Sequence, residues 1–234
     1  LVRRFGPVPP ERAVRMIQAA CRSLAEAHAR GMIHRDVKPS NIFTCRLGMN
    51  VDFVKVLDFG LVKVPRDFGP ETAMLSQPDI TTGTPAFMAP EAALGEKPVD
   101  HRVDIYALGC VAYWLVTGKL VFEAETPVQT MLRHIQSEPV PPSAVSELEI
   151  PPALDALILS CLAKRPEGRP SDALALAHAL EEIPFREGWN SDRAEAWWDR
   201  HHPAIAPFSE LQPPTPAAKM YAAKGLEEVA ISES

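Results

Sequence analysis

Cysteine is scarce in this 234-residue sequence, and the four present, Cys21, Cys45, Cys110 and Cys161, lie far apart with no C-x-x-C pair among them. That pattern excludes a disulfide scaffold and a zinc ribbon, and the expectation is reduced core thiols in a cytosolic protein. Long hydrophobic runs are missing as well. The longest, Ile105 to Val116, is interrupted by Gly109 and falls short of the roughly 20 apolar residues that a membrane-spanning helix needs. No signal-peptide pattern is visible. Basic charge is in deficit, with 24 Lys and Arg against 30 Asp and Glu for a net −6. The absence of a basic stripe to neutralise phosphates argues against general binding to nucleic acid or to an anionic membrane. An initial Met is lacking too, and Leu1 in its place leads to the expectation of a fragment of a longer chain.

What is present suits one globular lobe with a tail. Hydrophobic residues make up 46% of the chain, enough at this length for a substantial core. The 24 prolines gather in loops and towards the C-terminal end, which marks the segment beyond Pro203 as a disordered tail. Leu1 to Gly6 reads as the end of a helix. Pro9-Pro10-Glu11 then opens a longer one, Pro suiting the first turn and Glu the positive N-terminus. Val14, Ile17, Cys21, Leu24 and His28 recur at helical spacing, and Gly31 supplies a left-handed stop. Strand-like runs at Ile42 to Thr44 and Phe53 to Leu57, joined by a turn containing Gly48 and Asn50, predict a small hairpin. Between Gly60 and Glu91 periodicity is lost, and Pro, Gly, Ser and Thr predict a mobile loop. Asp104 starts a helix that runs to Thr117, apolar nearly all round and ended by Gly118. Further helices are expected over Val128 to Ser137, Ala153 to Ala163, and Ser171 to Glu182 with Ser171 as N-cap. Trp189, Trp197 and Trp198 suggest one more short helix packed on these.

The chemistry is concentrated in residues 34 to 41, His-Arg-Asp-Val-Lys-Pro-Ser-Asn, with Asp58 following in Asp-Phe-Gly. A loop anchored by Pro39 can aim Asp36, Lys38 and Asn41 at one point. Phosphoryl transfer needs such a set: a carboxylate to accept the hydroxyl proton, a cation to steady the moving group, and oxygen ligands for the magnesium ions that bridge the phosphates. His34-Arg35-Asp36…Asn41, Asp58-Phe59-Gly60 and Ala89-Pro90-Glu91 stand in the order found in protein kinases, and the chain resembles the large, C-terminal lobe of that family. Lys38 and Gly83-Thr84-Pro85 are similar to the Ser/Thr branch rather than the Tyr branch, and the overall style resembles the bacterial type. The resemblance implies a mostly α lobe of an α+β parent fold, with a small β-hairpin at the active site. It also implies transfer of the ATP γ-phosphoryl group to Ser or Thr hydroxyls of protein substrates.

Carried over residue by residue, the resemblance implies that Asp36 is the catalytic base, that Lys38 neutralises charge on the transferred group, and that Thr84 bridges the two. Asn41 and Asp58 would hold Mg2+ and Phe43 would floor the adenine, so Lys38, Asn41, Phe43 and Asp58 form the nucleotide site. His34 is expected to stack under Phe59 as a core residue, Glu91 to be buried against Arg169, and Asp104 to cap the backbone of the catalytic loop. Arg35 would grip a phosphorylated loop hydroxyl, with Ser76, Thr81 and Thr82 as candidates. His201-His202 has no cysteine or carboxylate cluster nearby and is read as a solvated pair.

The resemblance covers residues 1–184, with a Trp-rich helical extension expected over 185–203 and the tail over 204–234. It starts in the middle of the family's pattern. No Gly-rich phosphate loop and no strand lysine of the Val-Ala-Ile-Lys type precede His34, so the N-terminal lobe is expected to be missing. The parent would bind ATP and Mg2+ and act on proteins in the cytoplasm, with any membrane tether outside this stretch. The competing reading is a non-catalytic kinase-like binding module or pseudokinase. Intact Asp36, Lys38, Asn41 and Asp58 favour the enzyme, because a lobe kept only for binding has no physical need for all four.

Overall fold

The computed structural model describes residues 1–48, 50–59, 84–96 and 98–201. Helix α1 (Val2–Phe5) leads into the 20-residue α2 (Pro10–Ala29). Pro10 takes a first-turn position, where its missing N–H removes no helical bond, and Glu11 complements the helix dipole. Ala13, Val14, Ile17, Ala20, Cys21 and Leu24 form the buried face of α2. Beyond Ala29 the chain turns through Gly31 at φ 72°, a conformation glycine adopts without a Cβ clash. An irregular loop and a 3₁₀ turn at Pro39–Asn41 then deliver the chain to β1 (Ile42–Leu47), which pairs antiparallel with β2 (Asn50–Val56). Ile42 stands opposite Val56, Thr44 opposite Val54 and Cys45 opposite Phe53. Both strands run further towards the turn than their apolar stretches suggest, because pairing resumes at Leu47 and Asn50 after an irregular step.

The rest is helical, so the described lobe is mostly α, as expected: α3 (Pro90–Ala93), α4 (Arg102–Thr117), α5 (Pro127–Gln136), α6 (Pro152–Cys161) and α7 (Ala173–Glu181). Helix α4 is the core of the lobe, buried continuously from Val103 to Tyr113, with α2 and α6 packed against it. Gly109 makes the α6 contact possible, since a Cβ there would lie 2.6 Å from the Cβ of Cys161. Cys21, Cys110 and Cys161 are buried free thiols. Burial pushes all three up in pKa, Cys161 to about 12, which leaves them protonated and inert. Helix α7 starts one residue later than spacing suggests. Asp172 is its N-cap, accepting from the Ala175 N–H at 2.8 Å, while the Ser171 hydroxyl donates to Asp172. A carboxylate satisfies the bare N–H and the helix dipole together, so it takes the cap from the neighbouring hydroxyl.

The chain divides into two compact units, Leu1–Ser191 and Asp192–Ser234. Trp189 precedes α8 (Ser191–His201) and is a residue of the first unit. Within α8, Trp197 stacks on His201 at 4.5 Å and meets Trp198 edge-on. No helix among the described residues is long and apolar enough to cross a membrane. Gly60, Ser76, Thr81, Thr82, Gly83, His202 and the tail over 204–234 lie outside the described residues.

Candidate active site

Asp104, in the first turn of α4, organises the loop from 34 to 41. Its Oδ1 accepts the Arg35 N–H at 2.8 Å, and its Oδ2 accepts the His34 N–H and the His28 Nε2–H, each at 2.8 Å. With Asp104 only 1% exposed, these are charge-assisted bonds in a dry setting. They hang the loop from the most buried helix of the lobe. Arg35 sits at φ 63°, which costs a residue with a Cβ about 1–2 kcal/mol, and the bond from its N–H to Asp104 holds it there. His28 is a partner that the helical pattern of α2 does not reveal. The only signal was an imidazole on a face otherwise apolar.

His34 joins this loop to the hairpin. Its Nδ1 accepts the Asp36 N–H at 3.3 Å, and its Nε2–H donates to the Leu57 carbonyl at 2.9 Å. An amide can only donate and a carbonyl can only accept, so the ring is the neutral Nε2–H tautomer. Phe59 lies with its ring centroid 5.0 Å from that of His34, tilted by 53°. The Leu57 N–H donates to the Asn41 carbonyl at 2.8 Å. These bonds fix the two ends of the hairpin beside the loop and place Asp58 directly after them, exposed and at φ 54°.

Asp36, Lys38 and Asn41 meet. Lys38 Nζ lies 2.7 Å from Asp36 Oδ2, with the two side chains 25% and 34% exposed. Asn41 Nδ2 donates to the Asp36 carbonyl at 2.8 Å and to Oδ2 at 3.2 Å. Both contacts to the carboxylate fall on Oδ2, which leaves Oδ1 open. Thr84 is not part of this cluster. It is exposed, and its hydroxyl makes no hydrogen bond to Asp36 or Lys38, which reach each other directly. Phe43, 55% exposed, shares one face of the hairpin with Leu57, since side chains alternate along a strand. The Arg35 side chain is exposed and pairs with no described residue.

Also at the N-terminal end of α4, Glu91 and Arg169 are joined by two bonds of 2.6 and 2.7 Å. The remaining donors of Arg169 reach the carbonyls of Ala163 at 2.9 Å, Arg102 at 3.0 Å and Lys164 at 3.2 Å. All five guanidinium N–H groups are thereby used, and the guanidinium lies over the Tyr106 ring at 4.9 Å.

The donor set beside Asp36 suits a hard cation. Asn41 turns its nitrogen towards Asp36, so its carbonyl oxygen faces away, met only by the Ser40 hydroxyl at 3.5 Å. The Asp58 carboxylate carries no hydrogen bond from a described residue. No cluster of three or more His, Cys, Asp or Glu occurs among the described residues, so there is no closed protein cage. Few oxygen donors with open positions fit magnesium, which keeps much of its coordination for water and phosphate.

Comparison with known proteins shows the family. The sequence pattern of the protein kinase domain matches residues 1–181. The chain is 41% identical over 184 residues to a probable serine/threonine-protein kinase, CE0033, of Corynebacterium efficiens, covering 77% of this chain and 27% of that protein. It is 43% identical over 175 residues to the serine/threonine-protein kinase Pkn1 of Myxococcus xanthus, covering 75% and 24%. PknB of Mycolicibacterium smegmatis is 40% identical over 199 residues, covering 85% and 30%. The chain thus spans about a quarter to a third of the length of the curated relatives it matches. Among solved structures, Rad53 1-466 in complex with AMP-PNP superposes with a TM-score of 0.56 at 25% identity, covering 76% of this chain and 42% of that one. Both the sequence pattern and the relatives lead to one conclusion: the chain belongs to the protein kinase family, among relatives of the bacterial Ser/Thr type.

Proposed function

We propose that this chain carries the catalytic lobe of a Ser/Thr protein kinase, which transfers the γ-phosphoryl group of ATP to Ser or Thr hydroxyls of proteins. The observation that carries this reading is the Asp36–Lys38–Asn41 cluster, suspended from Asp104. Asp36 presents Oδ1, the oxygen free of Lys38 and Asn41, to the substrate hydroxyl and takes up its proton. Lys38, a quarter exposed, can turn from Oδ2 to the transferred group and neutralise charge there. Asn41 Oδ1 and the Asp58 carboxylate hold magnesium, which when bound draws charge from the phosphate oxygens. Phe43 offers an apolar surface to the adenine. Arg35, exposed and unpaired among the described residues, is the partner for a phosphorylated Ser76, Thr81 or Thr82, and mass spectrometry of the active protein should find phosphate at one of them.

On the same reading, residues 1–184 are the large lobe, and the Gly-rich loop and strand lysine that clamp ATP come from a small lobe outside these 234 residues. Transfer depends almost wholly on positioning. The 234-residue chain incubated with labelled ATP, magnesium and a generic basic protein should therefore incorporate no phosphate, and incorporation that Asp36→Asn abolishes would show the lobe to be sufficient. In the full-length protein, Asn41→Ala and Asp58→Ala should each raise the magnesium concentration needed for half-maximal phosphorylation of a protein substrate. A magnesium dependence identical to wild type in both variants would refute the assignment.

A further inference from the structure

One cluster of buried polar groups has no part in the proposed reaction, yet it is tied to the hairpin that carries the metal ligands. Cys45 pairs with Phe53 and Leu47 with Asn50, so Val51 and Asp52 together face Arg46, which makes a bulge in β2. Asp52 sits in that bulge at φ 56°, a conformation that aspartate tolerates better than most residues with a Cβ. The bulge turns its carboxylate onto Arg12 of α2, whose Nε and Nη2 donate at 2.9 and 2.7 Å. Trp189 donates its indole N–H to the same carboxylate, on Oδ2, at 2.7 Å, and its ring lies 5.0 Å from the Arg12 guanidinium carbon. Arg12 is 1% and Trp189 8% exposed. A helix, a strand bulge and the segment beyond the last helix of the lobe are thus joined at one carboxylate.

The hairpin has this node at one end and the candidate site at the other. From the bulge, the pairs Cys45–Phe53, Thr44–Val54, Phe43–Lys55 and Ile42–Val56 run without interruption to the Leu57–Asn41 and His34–Leu57 bonds, with Asp58 next. Bulges bend a strand and increase its twist, so whatever fixes the bulge fixes the aim of the strand ends. We propose that Trp189 is a positioning residue: by sharing Asp52 with Arg12 it clamps the bulge to α2 and so sets the orientation of Asn41 and Asp58 towards the magnesium-bound nucleotide. The role of those two ligands rests on the kinase reading, whereas the clamp rests on the bulge geometry alone. It also makes residues 183–190 a working part of the lobe.

Trp189→Phe keeps a ring over Arg12 and removes the donor, and Trp189→Ala removes both. In this chain, hydrogen exchange at Phe53, Lys55 and Leu57, whose N–H groups point into the ladder, should become about tenfold faster in Trp189→Phe, the change expected from losing one charge-assisted hydrogen bond, and faster still in Trp189→Ala. Amides of α4 and α6 should keep their wild-type rates. In the full-length protein the same variants should raise the magnesium concentration for half-maximal activity and leave KM for the protein substrate unchanged. Hairpin exchange at the wild-type rate in Trp189→Ala, or a rise shared equally by α4 and α6, overturns the clamp. Faster hairpin exchange with an unaltered magnesium dependence overturns the positioning role. If the wild-type protein itself shows no magnesium-dependent transfer, the kinase reading fails, and the exchange data still decide the clamp.

Discussion

Two acid–base pairs, Glu91–Arg169 and Asp36–Lys38, have contacts of nearly equal length, 2.6 and 2.7 Å, and opposite surroundings. The first is 8% and 0% exposed, bidentate, and closed by three backbone carbonyls. The second is 34% and 25% exposed, uses one carboxylate oxygen, and leaves the other open. Burial makes the first pair hard to break, because either partner left alone is a charge without solvent. Exposure makes the second easy to break, because water replaces what the partner gave. On the proposed kinase reading the second pair must exchange its partner for substrate and belongs at an exposed place, whereas the pair that joins α3 to the segment between α6 and α7 belongs at a buried one.

The strongest way to break this comparison is to remove one buried partner. Glu91→Ala leaves Arg169 buried with two donors unpaired and should lower stability by about 3–5 kcal/mol, read from the urea midpoint; a loss below 1 kcal/mol, the level of a surface pair, would refute the contrast.

The surroundings of the buried pair should also be acid-sensitive. His134 lies beneath Lys164 and Phe122, with Tyr106 bonded to its Nδ1 at 2.8 Å and no well-formed hydrogen bond at Nε2 among the described residues. Burial and then the nearby Lys164 charge lower its pKa to about 4, against an opposing contribution from the Ala86 backbone. Between pH 6.5 and 4 the unfolded chain binds a proton there that the folded chain refuses, so stability present above pH 6.5 is lost as pH falls. The loss amounts to about 3 kcal/mol. Urea melts at pH 7 and pH 4.5 should show a smaller difference for His134→Gln than for wild type, and equal differences would remove the cause.

Gly109→Ala forces a Cβ against Cys161 at 2.6 Å and should cost about 1–3 kcal/mol by overpacking the α4–α6 contact. The smallest effect is expected at the open pair. Lys38→Met should change stability by less than about 1 kcal/mol, and a larger loss in thermal melts would mean that the pair is structural after all.

Asp36, Lys38 and Asn41 were legible because they lie within five positions of one another, where loop geometry alone can gather them. Glu91 and Arg169 are 78 positions apart, and only the pattern of a family could suggest that they meet. The helices were legible from periodicity, and their ends shifted by a residue or two where a better cap stood next door, as at Asp172. The Arg12–Asp52–Trp189 node was not legible. It needs a bulge, and a bulge reverses the facing of one residue without altering the apolar alternation around it. Thr84 marks the opposite case, a role implied by resemblance for a side chain that makes no hydrogen bond to the pair it was to bridge.

The central claim is that Asp36 is poised for chemistry and Glu91 for architecture. It is tested most directly by measuring kcat for protein phosphorylation and the urea midpoint of Asp36→Asn and Glu91→Gln side by side in the full-length protein. Asp36→Asn should lose about 10²- to 10⁴-fold in kcat with a midpoint and nucleotide affinity close to wild type, whereas Glu91→Gln should lose its midpoint first. Wild-type kcat in Asp36→Asn, or a midpoint that falls as far as that of Glu91→Gln, would contradict the account.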